Sequence, residues 1–315
     1  MFYHYDTSGE RLTRCDELRP YCWTHIAPPL NMFELERLSE QLHIPMDFFT
    51  DSLDVDERSR IEIEDEVKLL VINSPILNEA VSQEPTLYIT VPMGIIICPQ
   101  YLITISSYPN AAITSFTEGR YKSFNYANHS LFILKILEQN VIEYLRSLKD
   151  INVRRNTIEQ EIYESSRNQD LMKFLNLEKS LVYFATALSS TAMMLIKLKR
   201  NDLLQIKNQE DLSDLLEDII IDNNQAQEMA NLYAKILGET SDALSAMIAN
   251  KLNIIIQRLT LVTLVLMLPT VVASFYGMNV PIPFQDSDYA FYFIVGVVVL
   301  LALILVLIFR RQKLF

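Results

Sequence analysis

Asp242, Ala246, Ala249, Asn253, Ile256, Thr260, Thr263, Met267, Thr270, Ser274 and Gly277 follow one another at alternating spacings of four and three. In a helix of 3.6 residues per turn, that spacing keeps them on one face. The face is small or polar throughout: it opens on a carboxylate, continues through the amide of Asn253, holds three threonines and a serine, and ends beside Asn279. Its flanks are Leu259, Leu261, Val262, Leu264, Val265, Leu266, Leu268, Val271 and Val272. A single hydroxyl in such a setting needs no more than close helix packing to explain it. A sustained run of oxygen-bearing side chains resembles the lining of a watery path for a cation.

The elements that must position this face follow from composition. Half of the 315 residues are hydrophobic and the mean hydropathy is +0.15, too apolar for soluble domains alone, so a membrane part is expected. From Leu259 to Gln285, 27 consecutive residues lack Asp, Glu, Lys, Arg and His, and from Tyr289 to Phe309 another 21 do. Each run is long enough to cross a bilayer as a helix. The short link between them predicts an antiparallel hairpin whose tip carries only Asp286 and Asp288 as charges. Lys251 and Arg258 precede the first span, and Arg310, Arg311 and Lys313 follow the second. By the positive-inside rule, both termini are expected in the cytoplasm and the tip outside.

Upstream, Val67–Ile72, Leu87–Val91, Ile95–Cys98 and Tyr101–Ile105 read as short strands, and Asn31–Leu42 reads as a one-sided helix through Met32, Leu35, Leu38 and Leu42. After Ser130 three long helical patterns follow, Leu131–Ile151, Thr157–Leu198 and Asp211–Leu259, almost without Gly or Pro. The expected architecture is an α+β membrane protein. It has a cytoplasmic α/β domain (1–130), a long helical stalk (131–258), a first span (259–276), an external loop (277–288), a second span (289–309) and a basic tail (310–315).

Several function classes are disfavoured. A formal charge of −12 argues against a nucleic-acid partner. Neither G-x-G-x-x-G nor a P-loop occurs among the six glycines, so no organic cofactor and no ATP chemistry are expected. Cys15, Cys22 and His25 lack the spacing of a structural zinc site, and no His-based catalytic arrangement stands out among His4, His25, His43 and His129. The acids between Asp51 and Glu66 read as a solvated strand face or an inter-subunit contact, and those along Asp211–Asp222 as a solvated helix face.

Two helices leave no lumen sealed from lipid, so several copies must surround any path lined by the first span. Pro269 interrupts that span, and Thr270 is the hydroxyl expected to compensate. At its end stands Tyr276-Gly277-Met278-Asn279, after a Met-Leu-Pro-Thr segment and before a short acidic loop, a second span and a basic tail. Here the sequence resembles the CorA family of divalent-cation transport proteins, at motif level over about Asn250–Phe315 and in layout over the whole chain. The resemblance implies a homopentameric funnel lined by the first spans. Gly277, Met278 and Asn279 would form the outer selectivity filter, with the Asn279 carbonyl presented to a hydrated ion. Asp242, Asn253, Ile256, Thr260, Thr263, Met267, Thr270 and Ser274 would line the pore, with Asp242 as an acidic ring, and Asp286 and Asp288 would attract cations outside. It also implies cytoplasmic regulatory Mg²⁺ sites; Asp218 falls on one such position, with Glu79 or the Asp51–Glu66 acids as partners. Mg²⁺ retains its waters, which suits neutral amide oxygens.

The sequence is therefore identified as that of a channel or transporter, not an enzyme. It would carry Mg²⁺ into the cytoplasm across the inner membrane, with Mg²⁺ also as the gating ion. Zn²⁺, Co²⁺ or Ni²⁺ transport, with or without coupling to protons, is the alternative within the family, since a zinc branch shares Gly-Met-Asn. A membrane-anchored cytoplasmic sensor is the alternative of another class.

Overall fold

The computed structural model describes residues 1–7, 12–78, 86–120, 125–165, 168–278 and 289–311. Among these residues, seven strands form one sheet in the order β2-β1-β3-β7-β6-β5-β4. They are β1 (Phe2–Asp6), β2 (Thr13–Cys15), β3 (Cys22–Ile26), β4 (Arg60–Glu64), β5 (Val67–Leu77), β6 (Tyr88–Ile97) and β7 (Leu102–Ser106). All neighbours are antiparallel except β3 and β7. The central strands are apolar on both faces because helices cover both. On one side α1 (Met32–Leu42) and α2 (Met46–Asp51) bury Leu35, Leu38, Phe48 and Phe49 against Ile26, Leu69, Val71 and Ile103. On the other, α3 (Ala111–Thr117) and α4 (His129–Ser165) bury Phe116 and Phe132 on Trp23, edge to face for Phe132.

Local chemistry explains the boundaries. Asn31 and Asn110 cap α1 and α3 by accepting the backbone N–H groups of Phe33 and Ala112. A Cβ on Gly94 would overlap Ser52 Oγ, so glycine lets the end of α2 rest on the sheet. The runs read separately as Leu87–Val91 and Ile95–Cys98 join in β6 across Pro92. Pro92 stands opposite Asn73, and β7 pairs with β6 only from Met93 onward, so no ladder bond needs the missing N–H. Asn73 turns its own backbone elsewhere: its N–H goes to Ser59 Oγ, and its carbonyl accepts from Asn140 Nδ2 and Tyr144 Oη.

The three long helical patterns expected over 131–258 correspond to three helices, among the described residues, with different surroundings. The first pattern does not stop near Ile151, since α4 continues to Ser165, and α5 spans Asn168–Asn201. Both lie on the sheet: Ser180 Oγ of α5 accepts the Tyr88 N–H, Lys197 Nζ donates to Ile61 O, and Tyr88 Oη donates to Asp150 of α4. The buried apolar face of each finds its partner there. The third helix, α6 (Glu210–Tyr276), and α7 (Ala290–Arg311) complete the chain. Contacts divide the molecule into two compact units, Met1–Ser241 and Asp242–Phe315, with the division inside α6.

Candidate functional site

The polar face is held on the second half of α6. Asp242, Asn253, Ile256, Thr260, Thr263, Met267, Thr270, Ser274 and Gly277 are all exposed in the single chain. The covered line lies elsewhere: Leu261 is buried and Val265, Leu268 and Val272 are half-buried. At 100° per residue that line sits roughly 150° around the helix from the hydroxyl stripe. On α7 the half-buried positions Ile294, Val298, Ala302, Leu305 and Phe309 likewise fall on one side. Close packing within one chain therefore does not use the small and polar residues.

The hydroxyls have a fixed direction. Thr260 Oγ1 donates to Ile256 O at 2.8 Å, Thr263 Oγ1 to Leu259 O at 2.9 Å and Thr270 Oγ1 to Leu266 O at 3.1 Å. Each proton is spent on the helix's own carbonyl four residues back. What remains on each oxygen is acceptor capacity, which suits a cation or the hydrogens of its water shell and not an anion. Pro269 frees the carbonyl of Val265, and Thr270 was expected to compensate; its hydroxyl goes to Leu266 O instead.

Gly277 closes α6. Its N–H reaches Ala273 O at 2.9 Å, and the N–H of Met278 reaches Phe275 O at 3.3 Å, a tightened final turn. A Cβ on Gly277 would meet Ala273 O at 3.3 Å, so glycine suits the tight end. Met278 is exposed. Asn279, Asp286 and Asp288 lie outside the described residues, as does Glu79. Around this end of the two spans, Phe275, Tyr289, Phe291, Tyr292 and Phe293 are exposed, the arrangement of an aromatic belt at a membrane surface.

In the first unit, Asp218 is exposed on α6. Of the acids proposed as its partners, Asp51, Glu57 and Glu62 gather round Arg60, at 2.6, 3.4 and 2.8 Å. Arg60 thus occupies three carboxylates that the sequence left free. Among the described residues no three His, Cys, Asp or Glu side chains converge as a metal site. His25 and Cys22 alternate along β3: His25 stacks with Tyr3 and bonds Thr104 Oγ1 at 3.0 Å, while burial pushes its pKa down to about 4. Burial pushes the Cys22 thiol up, with Cys15 beside it. The zinc site weighed on Cys15, Cys22 and His25 is not assembled.

Comparison with known proteins decides what this arrangement belongs to. A family described as CorA-like Mg²⁺ transporter protein matches residues 20–311. The chain belongs to the CorA family. The cobalt/magnesium transport protein CorA of Methanocaldococcus jannaschii is 27% identical over 284 residues, covering 89% of this chain and 87% of the relative. The complete structure of a CorA magnesium transporter from the same organism matches with a TM-score of 0.79 at 25% identity, covering 99% of this chain and 98% of that one. The full-length CmaX protein matches with 0.67 at 16% identity, covering 99% and 97%. The cytoplasmic domain of ZntB from Vibrio parahaemolyticus matches with 0.60 at 14%, covering 79% and 98%. These last two show a shared fold. CorA proteins are membrane transporters, so this chain is a transporter homologue and not an enzyme.

Proposed function

We propose that this CorA protein conducts divalent cations, Mg²⁺ foremost, across the cytoplasmic membrane down their electrochemical gradient, through the axis of a homopentamer lined by α6. The observation that carries this reading is the α6 face itself: uncovered in the single chain, lined by hydroxyls whose protons are already spent, and opposite the apolar line that is covered. Copies arranged with this face inward would turn Asp242, Asn253, Thr260, Thr263, Met267 and Thr270 into rings, and Asn279 with Gly277 and Met278 into the outer filter. Asp286 and Asp288 would gather cations at the outer mouth. Both termini and Arg310–Arg311 would lie in the cytoplasm. An inside-negative potential supplies about 2.3 kcal/mol per charge per 100 mV, twice that for a divalent ion, so no coupled hydrolysis is needed.

Gating would act through cytoplasmic Mg²⁺ at Asp218, bridging carboxylates of adjacent copies and stabilising the closed arrangement. The acids held by Arg60 are engaged already, which leaves Asp54, Asp56, Glu64, Asp65 and Glu66 among the described candidates. The cobalt in the relative's name makes Co²⁺ the second ion to test. No His or Cys stands on the α6 face, against a soft-ion preference.

The test is ion uptake by the full-length protein in liposomes at an imposed potential, with Asn279→Ala alongside. Potential-driven Mg²⁺ influx that Asn279→Ala lowers at least about a hundredfold, the scale of about 3 kcal/mol, supports the reading. Zn²⁺ uptake that follows a proton gradient with little Mg²⁺ flux overturns it, and so does the absence of any flux.

A further inference from the structure

The side chains that α6 buries in the first unit are Leu212, Leu216, Ile219, Asn223, Ala226 and Ala230, at alternating spacings of four and three, and Leu237 seven residues on, with the half-buried Tyr233 between. That is one packing seam. On α5 the buried positions Phe184, Leu188, Thr191, Leu195 and Leu198 repeat the same spacing. Leu195 and Leu198 share a core cluster with Leu212, Leu216 and Ile219. Among the described residues, Asn223 is the one polar side chain buried on α6, and it has no exposed surface. Its Nδ2 donates to Leu188 O of α5 at 3.1 Å, while its Oδ1 has no partner among the described residues.

A half-satisfied buried amide lowers stability relative to an apolar side chain of its size. What it supplies in a largely apolar helix seam is register. An axial slip breaks the bond from Nδ2 and leaves a second buried group unpaired, whereas leucine packs comparably in several registers. Beyond Asn223 the seam narrows to Ala226 and Ala230, whose methyl groups interlock only shallowly with a neighbour. The amide is therefore the feature that distinguishes one setting of α6 from the next.

We infer that Asn223 is a positioning residue that sets the axial register of α6 on α5, and through it the position of residues farther along the same helix. α6 is one continuous helix from Glu210 to Tyr276, so the residues after Asn223 follow it in the same element. A slip of one turn is about 5.4 Å. The transport consequence rests on the proposed reading that α6 lines the path; the register itself does not.

The experiment uses full-length, cysteine-free protein with nitroxide labels at the exposed positions Met193 and Ile221, labelled chains being diluted into unlabelled ones. Pulsed electron resonance reads the distance in wild type, Asn223→Leu and Asn223→Ala; the alanine variant removes the amide without adding bulk. Wild type should give one narrow distance. Both variants should broaden it or add a population displaced by about 5 Å. Asn223→Leu should also raise the thermal midpoint by about 2–4 °C, and shift the Mg²⁺ concentration that half-closes flux by about threefold or more. A merely structural amide would move the thermal midpoint alone. If both variants keep the wild-type distance, the inference is overturned whatever the flux does. A changed distance with unchanged closing overturns its transport part. Failure of the conduction reading would appear separately, as wild-type liposomes that pass no ion.

Discussion

α5 and α7 are both long enough and apolar enough to cross a bilayer, yet they are used in opposite ways. The apolar window of α5 is 50% buried within the chain; that of α7 is 0% buried and that of α6 is 6%. The difference is one of arrangement around the helix. α5 keeps Phe174, Leu177, Leu181, Phe184 and Leu188 on one side and spends Lys173, Glu178, Lys179, Lys197 and Lys199 on others, so a protein core on one face satisfies it. α7 is apolar all round from Ala290 to Phe309 and has no side suited to water. One helix completes a domain, and the other needs lipid or further copies of the chain.

Truncation should separate the two regions most sharply. Phe184→Ala removes a fully buried ring that packs against Tyr88 and Tyr144, and should cost about 3–5 kcal/mol in denaturant unfolding of the first unit. Leu303→Ala, on an exposed side chain of α7, should leave that unfolding unchanged. If the two variants lose similar stability, the contrast between the regions fails.

Charge should reverse the ranking. Leu303→Arg places a cation at the middle of α7, at a cost of about 2.5–3.5 kcal/mol for membrane insertion. Carbonate extraction of membranes should then release a larger soluble fraction than for wild type. Substituting arginine for Val182, an exposed position on α5, should release none.

The smallest effect concerns pH and belongs to the first unit. His25 is buried neutral with its pKa lowered to about 4, so the unfolded chain binds more protons between that value and 6.5. Stability from this group is full above about pH 6.5 and is lost as pH falls toward 4. Going from pH 7 to pH 5 should cost about 2 kcal/mol, read as a falling thermal midpoint. His25→Gln should flatten that part of the profile; an unchanged profile would mean that other groups, such as His4 and His129, whose pKa values burial also lowers, dominate.

Much of the fold was legible in the sequence. The two uncharged runs, the strands at Val67–Ile72 and Tyr101–Ile105, and the helix at Met32–Leu42 each show in local composition, because burial on one or both faces demands a matching pattern. β1 to β3 escaped notice. Phe2–Asp6 and Thr13–Cys15 are short and half-exposed, and Cys22–Ile26 mixes Trp, Thr and His whose side chains bond to Thr104 and His4 across the sheet. What α4 and α5 pack on escaped notice for a related reason: a long one-sided helix looks the same whether its face meets another helix or a sheet.

By itself, the order of residues determined that two C-terminal helices need a membrane, that one bears an oxygen-rich face ending at Gly277-Met278-Asn279, and that the chain has the layout of CorA, since each property follows from residues near in sequence. Only the tertiary structure decided that α5 stays with the sheet, that Arg60 holds three of the candidate carboxylates, that the hydroxyls of Thr260, Thr263 and Thr270 turn their protons inward, and that Asn223 is fully buried with its Nδ2 on Leu188 O. Those facts depend on what lies across a contact or on which rotamer a side chain takes, and spacing along the chain carries no record of either.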